Sequence, residues 1–279
     1  MKFSVVIPAR NEQDHLRETV EDITTLLRRE EIIHEIVIVN DHSTDRTLAV
    51  AEALARTWKI VRVVSNEFRP GFGCAVHYGL DKAMGDAVAI VMADGSDDPN
   101  DLVVYYRTLQ TGVDCVFGSR FIEGSRLRGY PGHKLLLNRL ANWLIQALFM
   151  IRYNDVTNAF KCYRREVIAN IRPILSYHFN ITVELPLKAI VRGYSYAVVP
   201  IGWTQRVHGF SKLKIREMGS RYLFIVLYVL LERWLSRGDY YRRDPCVAAR
   251  SHKRPVEVVT GSKMEGIGSQ AQQQPDRDI

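Results

Sequence analysis

Acidic and amide side chains follow three of the short apolar runs in this sequence. Asn11 and Glu12 come after the first run, Asp41 after the second and Asp94 after the fourth. Carboxylate oxygens suit hard divalent cations such as Mg²⁺ and Mn²⁺, and these cations often bridge to substrate phosphates. The residues around Asp94 therefore indicate a site for a cation and a diphosphate.

Helix capping is the alternative explanation for the acidic residues near Asp94. Asp97 and Asp98 directly precede Pro99, and proline is favoured in the first turn of a helix. Negative charge is also favourable there, because the N-terminus of a helix carries a partial positive charge. We expect both roles, with Asp94 at the site and Asp98 at the cap.

The apolar runs alternate with segments of helical periodicity. The predicted strands cover residues 3–7, 35–39, 60–64, 87–92 and 113–118, and the predicted helices between them cover 12–29, 44–57, 73–84 and 100–110. Near-continuously apolar strands that alternate with helices are typical of an α/β fold, a mostly parallel sheet sandwiched by helices. Ligands of such sheets bind beyond the carboxyl ends of the strands, where the polar residues lie.

Two later segments are strongly apolar but carry polar residues near helical spacing. Residues 134–151 are predicted to form an amphipathic helix that either packs on the sheet or lies in a membrane interface. Residues 222–235 are predicted to form a second amphipathic segment at the same interface. The apolar run 222–231 is too short for a bilayer, which needs about 20 residues. We expect a catalytic domain over 1–215, an interfacial helical segment over 216–244 and a disordered tail over 245–279, which is rich in Ser, Gly, Gln and Pro.

The composition excludes several classes of protein. Of the 279 residues, 47% are apolar and 25% are charged, which excludes collagen, a coiled coil and disorder throughout. The net charge of +7 suggests an anionic partner, either a nucleic acid, a phosphorylated substrate or an anionic membrane. The four cysteines have no metal-ligand spacing, and the N-terminal apolar run is too short for a signal peptide. A reducing cytoplasm is the expected location.

Several motifs in order resemble those of the family 2 glycosyltransferases of the GT-A fold, and within them the dolichyl-phosphate mannose synthase group. The resemblance covers about residues 2–213, and its motifs are VVIPARNE, VNDHSTDRT, RPGFGCAVHYGL, MADGSDDP, GSRF, NDVTNAFKCYRREV and QRVHGFSKLKI. It implies a Rossmann-like, nucleotide-sugar-binding fold. It also implies nucleotide-sugar contacts, and the residues are Pro8, Ala9, Asn11, Glu12, Asp41, Gly73 and Asp94.

The segment MADGSDDP resembles the DxD metal motif of that family. Asp94 matches the second aspartate, Ser96 matches a weaker metal-contacting position, and Met92 replaces the first aspartate. A thioether is a poor ligand for a hard cation. We still expect Mg²⁺ or Mn²⁺ as cofactor, because the diphosphate itself supplies oxygen ligands.

The resemblance places four cations at the phosphate of the acceptor. They are Arg120, Lys134, Arg206 and Lys212. Transfer to a lipid phosphate brings two anions together, and their repulsion must be screened while charge grows on the leaving diphosphate. An ionised phosphate is already a nucleophile, so this reaction needs no general base. Asp94, Arg120 and Arg206 are the predicted catalytic residues.

These features predict a peripheral enzyme on the cytoplasmic face of a membrane. It would move a hexose from a nucleotide sugar to a polyprenyl or dolichyl phosphate, with inversion at the anomeric carbon. The best candidate for the hexose is mannose, with GDP-mannose as the donor. One alternative keeps the fold but uses a sugar or glycolipid hydroxyl as acceptor, which normally requires a carboxylate base. A second alternative is a non-catalytic nucleotide- or nucleic-acid-binding protein. We expect no nucleic acid, because basic and acidic residues alternate and no recognition motif is present.

Overall fold

The computed structural model of the protein describes residues 1–205, 215–242 and 257–259. Its strands are β1 Phe3–Ala9, β2 His34–Asn40, β3 Val61–Ser65, β4 Ala87–Ile90, β5 Cys115–Ser119, β6 Arg126–Arg128, β7 Lys161–Arg164, β8 Tyr196–Pro200, β9 Gly202–Thr204 and β10 Glu257–Val259. Its helices are α1 Leu16–Arg29, α2 Thr47–Thr57, α3 Phe72–Lys82, α4 Asn100–Gln110, α5 Gly132–Phe149, α6 Arg165–Asn170, α7 Ile181–Val191 and α8 Ile215–Leu235.

Eight of these strands form one sheet in the order β10-β8-β5-β7-β4-β1-β2-β3. All neighbours are parallel except β7, which runs antiparallel between β4 and β5. The crossover helices force the parallel pairing of the first strands, because a parallel connection must return over a face of the sheet. The small strands β6 and β9 pair with each other outside this sheet.

Two hydrophobic cores cover the two faces of the sheet, and alternate residues of each strand enter opposite cores. In β1, Val6 packs with the helices α3, α5, α7 and α8. Its neighbours Val5 and Ile7 pack with α1, α2 and α4 on the other face. Both faces being buried explains why the strands are apolar at nearly every position.

The structure confirms the α/β fold and the order of the predicted elements. Strand β1, however, does not end at residue 7 as predicted: it continues to Ala9 and pairs Pro8 with Val39. The carbonyl of Ala9 accepts a hydrogen bond from Asp41 on the β2 side, so Pro8 faces the β4 side. There the pairing with β4 has ended at Val6, and no ladder partner loses a donor.

Three further differences concern element boundaries and the end of the chain. Helix α1 begins at Leu16, because the residues from Asn11 form a loop held by the segment after β2. The antiparallel strand β7 was not predicted. Within the expected tail 245–279, residues 257–259 form the edge strand β10 beside β8, and the rest of that tail lies outside the described residues.

A buried ion pair fixes helix α7 to the segment before it. The Nζ atom of Lys188 lies 2.7 Å from Oε1 of Glu184, and both side chains are fully buried. Glu184 also accepts hydrogen bonds from the backbone N–H groups of Leu175 and Ser176, at 2.8 and 2.7 Å. Lys188 donates to the carbonyl of Pro173. Glu184 therefore has a structural role.

We expect Lys188→Met to lower the free energy of unfolding by about 3–5 kcal/mol, because it leaves the Glu184 carboxylate buried without its cation. Arg17→Met is the matched control, since Arg17 forms an exposed pair with Glu21 at the same helical spacing. Such a pair contributes only about 0.3–0.5 kcal/mol. Urea denaturation of both variants measures the difference, and equal losses would contradict this account.

Candidate active site

Two loops at the carboxyl edge of the sheet are bonded to each other through Asn11. Its side-chain oxygen accepts a hydrogen bond from the N–H of Thr44 at 2.8 Å, and its own N–H donates to Oγ of Ser43 at 3.2 Å. The N–H of Glu12 donates to Oγ1 of Thr47 at 2.8 Å. Asn11 has a φ of 55°, a conformation that asparagine tolerates better than most residues. The loop predicted to contact the nucleotide is thus held in one shape.

Asp41 connects the end of β2 to the start of α3. Its buried carboxylate accepts hydrogen bonds from the N–H of Gly71 at 3.0 Å and from Nδ2 of Asn66 at 2.8 Å. Its backbone N–H donates to the carbonyl of Ala9. The carboxylate therefore has a fixed position at the sheet edge. Its contact with the base or ribose of a donor stays a prediction.

Gly73 lets helix α3 approach a neighbouring loop. A Cβ atom at this position would lie 2.5 Å from the carbonyl oxygen of Ser176 and 2.6 Å from the carbonyl carbon of Tyr177. No side chain fits there unless the backbone moves. The structure thus gives Gly73 a packing role beside Asp41, and its predicted contact with the donor is untested.

A cavity of about 440 Å³ lies where the fourth strand ends, between α1 and the turn before α4. Asp94 and Asp97 line it from one side, and the α1 residues Glu18 and Asp22 line it from the other. The N–H of Ser96 donates to Oδ1 of Asp94 at 3.2 Å. The structure therefore holds Asp94 and Ser96 in one turn, and their role as metal ligands stays a prediction.

Asp97 is a buried carboxylate beside Asp94. Burial raises its pKa to about 7, and the nearby Asp94 adds to the rise, although a hydrogen bond from the N–H of Met92 opposes it. That bond measures 3.1 Å. Met92 thus contributes its backbone to the turn at the position where the related motif has an aspartate.

The residues present fit a cation that binds together with a diphosphate. In the described part of the chain, no group of three or more His, Cys, Asp or Glu side chains is arranged to hold a metal ion. Asp94 and the hydroxyl of Ser96 supply few ligands. Mg²⁺ is commonly held by one or two carboxylates plus substrate phosphates, so this donor set is sufficient only when the substrate completes it.

Arg120 forms a buried ion pair with Asp155 at the end of β5. Its Nε and Nη2 atoms each lie 2.8 Å from a carboxylate oxygen of Asp155, and its backbone N–H donates to the same group at 3.0 Å. Burial lowers the pKa of Arg120, but the charge and hydrogen bonds of Asp155 outweigh it, so the pKa is raised overall. Arg120 is thus a fixed cation, and Asp155 occupies the edge of its guanidinium group that carries Nε and Nη2.

Helix α5 is bonded to the loop that carries Asp155. Asn138 and Asn142 both donate to Oγ1 of Thr157, at 2.8 and 3.1 Å. The side-chain oxygen of Asn142 accepts from the N–H of Thr157 at 3.3 Å. Lys134 lies half-buried one turn before Asn138 on the same helix. The helix, the loop and Arg120 therefore form one connected unit.

Lys161 also stabilises the loop that carries Asp155. Its buried ammonium donates to the carbonyls of Val156, Asn158 and Thr182. Burial lowers its pKa to about 7, and the charge of Asp155 partly offsets this effect. Lys161 belongs to the motif NDVTNAFKCYRREV, from which no role for this residue was predicted.

Helices α5 and α8 expose apolar side chains on neighbouring surfaces. The largest exposed ones on α5 are Leu136, Leu137, Leu140, Trp143 and Leu144, and those on α8 are Leu223, Phe224, Leu227, Leu231, Trp234 and Leu235. The two helices are joined by a hydrogen bond from Arg233 to the carbonyl of Phe149. Among the described residues, no helix has the length and hydropathy needed to cross a membrane.

Strand β9 runs beside the Asp94 turn and leads to residue 206. The N–H of Thr204 donates to the carbonyl of Ser96 at 3.0 Å. Asp101 accepts from the N–H of Gly202 at 2.6 Å, and Asp98 accepts from the N–H of Asn100 at 2.9 Å, as expected for a cap. The predicted phosphate contacts Arg206 and Lys212 lie outside the described residues.

Two contacts of this site escaped the sequence analysis. Asp155 was noted only as part of a motif, and its pairing with Arg120 spans 35 positions of the chain. Arg126 bonds Asp98 at 2.8 Å and approaches Asp101 at 3.4 Å, again from a distant segment. No local pattern signals either contact, because each joins segments that are distant in sequence and meet only in the folded chain.

Comparisons with known proteins agree with this architecture. Glucosyl-3-phosphoglycerate synthase from Mycobacterium tuberculosis, solved with Mn²⁺, uridine diphosphate and phosphoglyceric acid, superposes with a TM-score of 0.63 at 23% identity. The match covers 83% of this chain and 78% of that one. The fold is therefore the GT-A fold of glycosyltransferases.

Sequence comparison identifies the family. The model of glycosyl transferase family 2 matches residues 4–172. A polyprenol monophosphomannose synthase from Mycolicibacterium smegmatis is 32% identical over 76% of this chain and 82% of its own length. A dolichol-phosphate mannosyltransferase from Pyrococcus furiosus is 31% identical over 77% of this chain, which spans 60% of that longer protein. The chain belongs to glycosyl transferase family 2 and is a glycosyltransferase.

The raised pKa of Asp101, which lies beside this site, predicts how the free energy of unfolding depends on pH. Burial raises that pKa to about 7, so between about pH 4 and 7 the folded protein binds a proton that the unfolded chain releases. Stability is therefore lost as the pH rises through this window. The variant Asp101→Asn lacks this titration. We expect its free energy of unfolding, relative to that of the wild type, to rise by at most about 1.4 kcal/mol per pH unit up to about pH 7 and to level off above it. Urea denaturation at several pH values measures this, and a constant difference would contradict it.

Proposed function

We propose that this glycosyltransferase moves a hexose from a nucleotide sugar to a polyprenyl or dolichyl phosphate, with inversion at the anomeric carbon. Mannose from GDP-mannose is the proposed donor. Two relatives that are 31–32% identical carry names that specify polyprenol or dolichol phosphate and mannose. The observation on this chain that carries the proposal is the fixed Arg120 next to a helix with an exposed apolar face.

Arg120 is the proposed contact for the acceptor phosphate. Asp155 occupies its Nε and Nη2 atoms, so the phosphate would approach the Nη1 edge. The guanidinium also lies 5.4 Å from the ring centres of Phe121 and Tyr130, which restrict its movement. A cation fixed before the substrate arrives screens the repulsion between two phosphates without reorganising. Lys134, Arg206 and Lys212 are the proposed further cations.

The donor is proposed to bind along the loops at the carboxyl ends of β1, β2 and β4. Pro8, Ala9, Asn11, Glu12 and Asp41 would contact the nucleotide, and their hydrogen-bonded loops support a site formed in advance. Asp94 and Ser96 would hold Mg²⁺ or Mn²⁺ with the diphosphate, and the cation would stabilise the charge of the leaving group.

The apolar faces of α5 and α8 are proposed to lie in the membrane interface, on the cytoplasmic side. Two tryptophans support this, because Trp143 is 64% exposed and Trp234 is 62% exposed. Tryptophan is favoured where an apolar layer meets water. This placement would bring the phosphate of a membrane-embedded lipid close to Lys134 and Arg120 without lifting its chain into water.

Arg120→Gln should lower kcat/KM for polyprenyl phosphate by at least about 100-fold, which corresponds to the loss of one charge-assisted contact in the transition state. Affinity for GDP-mannose should stay within about twofold. Arg107→Gln is the control, since Arg107 pairs with Glu30 on the surface. Steady-state transfer assays and donor titrations measure both quantities. Full activity of Arg120→Gln, or transfer only to sugar hydroxyls, would contradict the proposed acceptor.

Trp143→Glu should reduce binding to liposomes by about tenfold or more, because a charged side chain would enter the interface. Ile33→Glu is the matched control, since Ile33 is 70% exposed in the loop before β2, away from the two helices. Co-sedimentation with neutral phosphatidylcholine vesicles measures binding without a contribution from lipid charge. Equal binding by the two variants would contradict the proposed membrane face.

A further inference from the structure

A second cavity, of about 370 Å³, lies between the segment before α7 and the first turns of α8. It is separate from the Asp94 cavity and uses none of the residues assigned above to donor or acceptor. Its lining residues in the described ranges are Arg69, Leu175, Tyr177, His178, Asn180, Ser220, Arg221 and Phe224. Two of these are arginines and none is acidic, so the cavity favours an anion.

One polar atom in this wall has no hydrogen-bond partner within residues 1–205, 215–242 and 257–259. The side-chain oxygen of Asn180 is buried and accepts no hydrogen bond from any residue that the structure describes, and Asn180 as a whole is only 6% exposed. A buried acceptor without a donor is unfavourable by about 1–3 kcal/mol, and native proteins contain few of them. A ligand with a hydroxyl group would supply the donor.

The cavity opens beside the apolar face of α8. Phe224 belongs both to the cavity wall and to that face, where it is 61% exposed. Arg69 lines the cavity with its guanidinium carbon 4.2 Å from the ring centre of Tyr177, which positions the charge. Tyr222 anchors this turn of α8 by donating to the carbonyl of Phe179 at 3.1 Å. A ligand in the cavity would thus stand next to an apolar surface.

We infer that this cavity binds a phosphodiester that carries hydroxyl groups, and that its source is the headgroup of an anionic phospholipid such as phosphatidylglycerol. The arginines would bind the phosphate oxygens, because guanidinium groups suit them in charge and geometry. Asn180 would accept a hydrogen bond from a headgroup hydroxyl. The acyl chains would follow the apolar face of α8. The choice of a lipid source rests on the proposed membrane face.

Vesicle co-sedimentation with three lipid compositions tests this inference. The compositions are phosphatidylcholine alone, phosphatidylcholine with phosphatidylglycerol, and phosphatidylcholine with phosphatidylmethanol at equal charge. We expect at least fivefold tighter binding to phosphatidylglycerol than to phosphatidylmethanol, which lacks headgroup hydroxyls. Arg69→Gln should lose most of the gain from anionic lipid. Arg237→Gln, which removes an exposed charge just after α8, should lose little.

Asn180→Leu separates ligand binding from structure. It removes the unpaired acceptor, so the variant should fold at least as stably as the wild type but should no longer distinguish phosphatidylglycerol from phosphatidylmethanol. Equal preference in wild type and Asn180→Leu, or equal losses in Arg69→Gln and Arg237→Gln, would overturn the inference. Failure of every protein to bind phosphatidylcholine would instead contradict the membrane face.

Soluble glycerophosphoglycerol distinguishes the two sources of the same chemistry. We expect it to raise the melting temperature of the wild type only at millimolar concentration, and not to raise that of Arg69→Gln. A lipid source predicts much tighter binding to phosphatidylglycerol vesicles than to this ester. Micromolar affinity for the free ester without any preference for phosphatidylglycerol vesicles would overturn the assignment to a lipid.

Discussion

The ion pair between Arg120 and Asp155 is the interaction on which the proposed acceptor side of the site depends. Asp155 is completely buried and Arg120 is 9% exposed, so neither charge is stable there without the other. Asp155 lies on the loop that Asn138 and Asn142 bind to helix α5, and Lys161 donates hydrogen bonds to two carbonyls of the same loop. The position of Arg120 therefore depends on helix α5, which packs one face on the core and exposes apolar side chains on the other.

The two halves of the proposed site are built on different principles. On the donor side, backbone and side-chain hydrogen bonds hold the loops after β1 and β2, as with Asn11 and Asp41. The protein supplies few metal ligands there, and Met92 replaces one carboxylate. On the acceptor side a buried ion pair fixes the charge before any substrate binds. A phosphate acceptor needs such a charge, whereas a hydroxyl acceptor would need a base.

Much of the fold follows from local sequence patterns. Apolar runs such as 35–39 and the helical periods between them predict β2 and its neighbours, because both faces of the sheet are buried. The antiparallel strand β7 could not be predicted, since its direction depends on pairing with β4 and β5. The predicted end of β1 at residue 7 is wrong, because proline usually ends a strand but Pro8 does not end this one. Pro8 is tolerated because β1 no longer pairs with β4 at that position.

The candidate site likewise has contacts that local sequence predicts and contacts that it does not. Asp94 and Ser96 are close in sequence, and a hydrogen bond from the N–H of Ser96 to the Asp94 carboxylate joins them in one turn. The partner of Arg120 and the bonds from α5 to Thr157 join segments that are far apart in sequence, so only the folded chain reveals them. The roles of Arg206 and Lys212 rest on the motif alone.

Analysis of the lipid product by mass spectrometry and NMR tests the central claim most directly. Purified protein would be incubated with polyprenyl phosphate, Mg²⁺ or Mn²⁺, and either GDP-mannose or UDP-glucose. The account predicts a lipid phosphate that gains one hexose from GDP-mannose, linked with the anomeric configuration opposite to that of the donor. An unchanged lipid phosphate under conditions in which the protein transfers the sugar to a hydroxyl would contradict it.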